Sequence, residues 1–271
     1  MTASPHPSPV PRRTFLAGAI GAIGALAAAC GDDGGSSGAA SSSTTAAAST
    51  AATIGSTLPA TEATTARKEA RFVVAGPATK PRVALTFHTN GDLGLADQLL
   101  DVLEQRNTKM TSFVVGSWLD ANPDMAKRIA DGGHEFANHT YTHPTFGSLS
   151  RDAMLNEIER CRDVLVRLTG GPGAAFRPSG TDDGTTSPGE QVLAVAAEAG
   201  YATMVGYEVD PFDYQDPGAA AVTERTLSAV KPGSIISLHF GHPGTVQALP
   251  GILEGLEQRN LTPVTVSTLL G

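Results

Sequence analysis

Two histidines stand four residues apart in Asn138-His139-Thr140-Tyr141-Thr142-His143-Pro144. That spacing puts two imidazoles on one side of a helical turn, within reach of a single metal ion. Alone the pair is a weak signal, because two surface or hydrogen-bonded histidines read the same way. The preceding Gly133-His134-Glu135 and the following Pro144 strengthen it. A hydrolytic metal centre needs a third protein ligand and an open position for water. The stretch Thr86-Phe87-His88-Thr89-Asn90-Gly91-Asp92 offers two candidates, His88 and Asp92, while Thr89 and Asn90 are poorer donors. Gly91 permits a sharp turn that would swing Asp92 back into the site.

These residues need a scaffold that gathers them. Arg82–His88 is a short apolar run, as a buried strand would be, and Leu93–Arg106 follows with apolar residues at helical spacing. Strand-like runs recur at Met110–Gly116, His134–Ala137, Ala174–Arg177, Tyr201–Val205, Ser234–His239 and Leu261–Ser267. Helical patterns lie between them: one opened by Asn122-Pro123-Asp124, one capped by Ser150 and stopped by Gly170, and others near 188–199, 219–230 and 246–260. Seven strands alternating with helices predict a parallel α/β fold, either an open doubly wound sheet or a small barrel. Both gather chemistry at the C-terminal ends of their strands. His88, His139, Arg177 and His239 each fall at or just after such an end.

The chain has 271 residues and a formal charge of −8. An acidic balance argues against nucleic-acid binding, which needs a basic footprint. Residues 1–30 read as an export signal: Arg12-Arg13 before Thr14-Phe15-Leu16, then an uncharged run to Ala29, resembling a twin-arginine leader. Cys30 after Leu26-Ala27-Ala28-Ala29 resembles a lipoprotein cleavage site, although Ala27 is small for its position. Residues 31–70, mostly Gly, Ser, Ala and Thr, hold too little apolar bulk to fold and predict a flexible tether. The domain proper is expected over 71–271. Cys161, in a helical pattern, reads as a buried small hydrophobe.

From about Pro81 to Leu270 the chain resembles the polysaccharide deacetylases with a NodB homology domain, carbohydrate esterase family 4. Asn138-His139-Thr140-Tyr141-Thr142-His143 is similar to the family's metal-binding histidine pair. Phe176-Arg177-Pro178-Ser179-Gly180 resembles the motif whose Arg orients the catalytic base. Val209-Asp210-Pro211-Phe212-Asp213-Tyr214 resembles the fourth motif, with Tyr214 where a Trp is usual, and Ser237-Leu238-His239 the fifth, whose His is the general acid. The resemblance implies a distorted (β/α)7 barrel and a divalent metal, most often zinc. The first motif departs from it. The family has Thr-Phe-Asp-Asp-Gly, the first Asp a base and the second a ligand. Here His88 and Thr89 stand in those places.

Three outcomes are open. Asp92 joins His139 and His143 as ligand with His88 as base; His88 completes a three-histidine site with Asp92 as base; or activity is lost. The implied chemistry is removal of N-acetyl groups from an extracytoplasmic polysaccharide, peptidoglycan or chitin-like. His239 would be the proton donor, Asp213 would keep it charged, and Arg177 would pair with an acid such as Asp92. A monomer tethered through lipidated Cys30 at the outer face of the cytoplasmic membrane is expected. The rivals are a carbohydrate-binding lipoprotein without chemistry and a hydrolase of non-sugar amides.

Overall fold

The computed structural model describes residues 69–181 and 183–271. The expected leader, Cys30 and all but the last two residues of the tether lie outside them. Ala70 is already buried, its N–H donating to the Leu193 carbonyl at 3.0 Å. No helix among the described residues is long and apolar enough to cross a membrane.

The chain runs β1 (Arg71–Val73), β2 (Arg82–Thr89), α1 (Leu93–Gln105), β3 (Thr111–Val114), α2 (Gly116–Ala121), α3 (Pro123–Asp131) and β4 (Glu135–Asn138). It continues through α4 (Arg151–Thr169), α5 (Glu190–Glu198), β5 (Thr203–Val205), α6 (Ala219–Ala229), β6 (Ile235–His239), α7 (Pro243–Gln258), β7 (Thr262–Val264) and α8 (Val266–Leu270). β2 is the hub. It pairs in parallel with β3 on one side, and with β6 and β7 on the other. β4 extends the sheet beyond β3. Single parallel bridges, Asn138 to Phe176, Phe176 to Met204 and Val209 to Ile236, carry the ring from β4 through β5 back to β6. The result is a distorted parallel α/β barrel.

Alternation along β2 explains how a barrel strand delivers a histidine. Val83, Leu85 and Phe87 face outward into the cluster with Leu99, Leu103, Ile252 and Leu256 of α1 and α7. Each such large side chain contributes roughly 1.5–3 kcal/mol by burial. The opposite phase sends Ala84, Thr86 and His88 inward; Ala84 packs with Phe113, Ala137, Val205 and Ile235 from successive strands.

Two expected strands are corrected. Ala174–Arg177 forms only the bridges at Phe176, because its neighbours on both sides are short. The run from Leu261 to Ser267 stops as a strand at Val264, and Thr265 turns it into α8 by accepting from the Thr268 N–H. Cys161 is buried, and burial raises its thiol pKa to about 12, so it stays protonated.

Candidate active site

His88, at the end of β2, and His139 and His143, after β4, offer ring nitrogens that all lie within 4.8 Å of one another. The expected helical turn between the last two is absent. Residues 139–143 form a loop in which Thr140 (φ 69°) and His143 (φ 60°) adopt the left-handed conformation. That costs roughly 1–2 kcal/mol per residue, so something must hold the loop. The holder is Glu157, from the buried face of α4. Its Oε2 accepts from the Tyr141 N–H (2.9 Å) and the Thr142 N–H (2.7 Å), and its Oε1 from the Thr142 hydroxyl (2.9 Å).

His139 is fully buried, and its Nδ1–H donates to the Arg177 carbonyl at 2.9 Å. That fixes Nε2 as the lone-pair nitrogen. Among the described residues this Nε2 is the one buried side-chain nitrogen or oxygen without a hydrogen-bond partner. An orphaned buried acceptor costs about 1–3 kcal/mol, and a cation held with the two other imidazoles removes that cost. His88 is buried and bonded through Nε2 to the Ser237 hydroxyl at 3.2 Å. Burial first, then the His139 and His239 imidazoles and Arg177, push the His88 pKa well below its usual value. Burial and His143 do the same to His139, and burial lowers His143. All three are therefore neutral near pH 7, the form that binds metal. The donor set fits a tetrahedral cation with three protein ligands and one open position.

Asp92 is not part of this cluster. It is exposed and caps α1, its Oδ1 accepting from the Leu95 N–H at 2.9 Å. A short acid directly before a helix is held by the helix's free N–H groups. Gly91 does turn sharply (φ 106°), but its carbonyl is engaged by the Trp118 indole N–H at 2.8 Å, which ties the loop to α2. Thr89 is buried facing away, its hydroxyl 2.7 Å from that of Ser112.

Arg177 is also corrected in its pairing. Its buried guanidinium donates to the Val205 carbonyl (3.0 Å), the Gly206 carbonyl (3.2 Å) and, through both terminal nitrogens, the Thr86 hydroxyl (3.1 Å). It stacks 3.9 Å from the Phe113 ring centre. No carboxylate bonds it among the described residues. Burial lowers its pKa to about 9, so it stays cationic.

Across the cleft, β6 ends at His239. Its Nδ1 meets Asp213 Oδ1 at 2.7 Å, and its backbone N–H donates to Asp213 Oδ2 at 2.8 Å. Asp213 is fully buried and also accepts from the Thr245 hydroxyl (2.7 Å) and the Tyr214 N–H (3.1 Å). This leaves Nε2 as the exchangeable position of His239. The His239 ring lies 4.3 Å from that of His88, centre to centre. Asp210 instead accepts from the Phe212 N–H, and burial raises its pKa. The open cleft holds about 320 Å³. His88, His143, His239 and His242 line it, with Tyr207 and Tyr214 at the sides. His242 is bonded through Nδ1 to Asp216 at 3.0 Å.

Glu157 is the functional residue that sequence reasoning missed. A signal existed: it sits on the buried face of α4 with Met154, Ile158, Cys161 and Leu165. A charge among core positions is almost never buried without a partner.

Residues 75–204 match the polysaccharide deacetylase family model. A peptidoglycan-N-acetylglucosamine deacetylase of Bacillus cereus is 33% identical over 202 residues, 73% of this chain and 71% of that protein. A chitooligosaccharide deacetylase of Sinorhizobium fredii is 36% identical over 164 residues, 60% of this chain and 74% of that protein. Among solved structures, a peptidoglycan N-acetylglucosamine deacetylase in complex with 4-naphthalen-1-yl-N-oxidanyl-benzamide aligns with a TM-score of 0.68 at 32% identity, over 73% of this chain and 92% of that one.

Proposed function

The chain belongs to the polysaccharide deacetylase family, whose members hydrolyse carbon–nitrogen bonds other than peptide bonds, and from that premise we propose that it is a metal-dependent deacetylase removing N-acetyl groups from a glycan outside the cytoplasmic membrane. The observation that carries this reading is the orphaned His139 Nε2 facing two further imidazoles. In this reading His88, His139 and His143 hold the cation, and Asp92 serves only the helix. The similarity to enzymes named for peptidoglycan and for chitooligosaccharides supports an N-acetylglucosamine polymer as the substrate class.

A bound zinc ion would supply Lewis acidity for the acetyl carbonyl and lower the pKa of water in the cleft. The remaining work belongs to the chain. The Arg177 carbonyl and the Ser237 hydroxyl orient His139 and His88. Glu157 fixes the loop bearing His143. Asp213 holds His239 through Nδ1, leaving Nε2 as the position from which the leaving amine takes a proton. Arg177 places a buried positive charge within electrostatic reach of His88.

The leader at 1–30, the tether at 31–70 and acylation of Cys30 complete the proposal: a monomeric catalytic domain held at the outer face of the membrane. A glycan-binding protein without chemistry is the rival, favoured by Thr89 in a ligand's place. Acetate release from N-acetylated chitooligosaccharide and from peptidoglycan, measured before and after chelation, separates the two. Chelator-sensitive acetate release supports the enzyme, and binding without release at any metal loading sinks it.

A further inference from the structure

The three-histidine arrangement leaves a job unfilled. Taking a proton from the attacking water needs a base, and His88 is spent as a ligand. No carboxylate lines the cleft among the described residues. Asp92 caps α1, Asp213 lies fully buried beneath His239, and Asp210 accepts from its own loop. Apart from the cluster's own members, His239 is the one imidazole among the described residues whose ring packs directly on the cluster, 4.3 Å from that of His88. His242 stands farther out, with its ring 6.1 Å from that of His239.

We propose that His239, backed by Asp213, is both the base and the acid of the reaction, so that one dyad does the work of two separate groups. The inference rests on the deacetylase reading and deepens it. Nδ1 is committed to Asp213 Oδ1 at 2.7 Å, so every proton enters and leaves at Nε2. In the first half, an O–H bond of water breaks and its proton passes to Nε2, while the oxygen bonds the acyl carbon and the C=O π pair moves onto the carbonyl oxygen. In the second half, the oxyanion's pair re-forms the C=O bond and the C–N bond breaks with its electron pair going to nitrogen, which takes the proton from Nε2. Amide and water become acetic acid and amine, the acid then gives its proton to solvent or to the amine, and the imidazole returns to its starting state. Two hydrogen bonds to Asp213, from Nδ1 and from the backbone N–H, hold the ring in place through both halves.

The test uses two acetyl donors that differ in what they ask of an acid. An N-acetylated chitooligosaccharide must have its leaving amine protonated, whereas 4-nitrophenyl acetate expels a phenolate that leaves unprotonated. Both are assayed with the zinc-loaded full-length chain, and only the chelator-sensitive rate is counted. His239→Ala is expected to lower kcat for both donors by about 10²–10⁴-fold, with KM for the oligosaccharide and zinc per chain at wild-type values. His239→Gln, which keeps bulk and polarity, should match it; this guards against a folding defect in Asp213→Asn, the third variant, which should also lose both activities. If His239 is an acid alone, the ester rate survives in His239→Ala while the amide rate falls, and the proposal is overturned. Loss of the ester rate in His242→Ala, with His239→Ala intact, also overturns it by moving the base to the other imidazole. A wild-type chain that releases no acetate from the amide overturns the functional reading and this inference together.

Discussion

Replacing Asp92 and replacing His88 should have opposite signatures in a thermal melt. Asp92 accepts one hydrogen bond, from Leu95 N–H at 2.9 Å, at the exposed start of α1. Its loss in Asp92→Ala costs about 1 kcal/mol, the ordinary worth of an N-cap. For a folded part of this size, 1 kcal/mol moves the midpoint by roughly 2–4 °C. Zinc binding adds a separate increment. At a free concentration of 100 times Kd it stabilises by about 2.7 kcal/mol, hence roughly 5–11 °C. Asp92→Ala should therefore melt a few degrees lower and keep the whole zinc increment. His88→Ala, His139→Ala and His143→Ala should lose the increment, whatever their metal-free baselines. The assay is scanning calorimetry of the full-length chain with and without zinc, each variant beside the wild type. An Asp92→Ala chain that loses the zinc increment, or a His88→Ala chain that keeps it, would refute the three-histidine reasoning.

Glu157→Ala frees the strained loop that carries His143, so zinc affinity by titration calorimetry should fall about 10–100-fold, the usual effect of removing an outer-shell partner. His134 has its pKa lowered to about 4, by burial first and then by Lys109 and Arg128. Its folded pKa lies below the unfolded value, so the unfolded chain binds more protons between about pH 6.5 and 4, and stability falls as pH falls through that window. His134→Gln should remove roughly 1–2 kcal/mol of that loss, discounted because the group is partly exposed, as read from urea melts at pH 7 and pH 4.5. At Gly116 an added Cβ would lie 2.9 Å from Cys161 Cα and 2.9 Å from the Tyr141 ring. Gly116→Ala should therefore cost about 1–3 kcal/mol by prying α2 from α4, measured by circular dichroism.

Most of the barrel was legible because its elements obey one rule each. β2 is an unbroken apolar run, and α4 has a Ser150 cap and a Gly170 stop. The elements that escaped are short or ambiguous. β1 has three residues and α2 has six, too few for a period to register. The β-branched Thr262-Pro263-Val264-Thr265-Val266 reads as one strand, yet Thr265 is a better cap than a strand residue, and α8 begins there. At the site, residue types and order located both histidine groups, Arg177 and the Asp213–His239 pair. Ligand membership was another matter. Asp92 obeys two rules at once, a turn after Gly91 and a cap before Leu93, and the free N–H groups of α1 won. Arg177 was expected to meet an acid, but the acid's place in β2 is a histidine, so its guanidinium turns to two carbonyls and Thr86.

The central claim is a metal centre built from His88, His139 and His143 with no carboxylate. X-ray absorption at the zinc edge of the loaded full-length chain counts the imidazoles directly, because each ring gives its own outer-shell scattering. The account predicts three imidazoles and one light-atom ligand per zinc in the wild type, and no stoichiometric zinc left to measure in His88→Ala. Two imidazoles with an added carboxylate in the wild type, or no zinc retained at all, would contradict it.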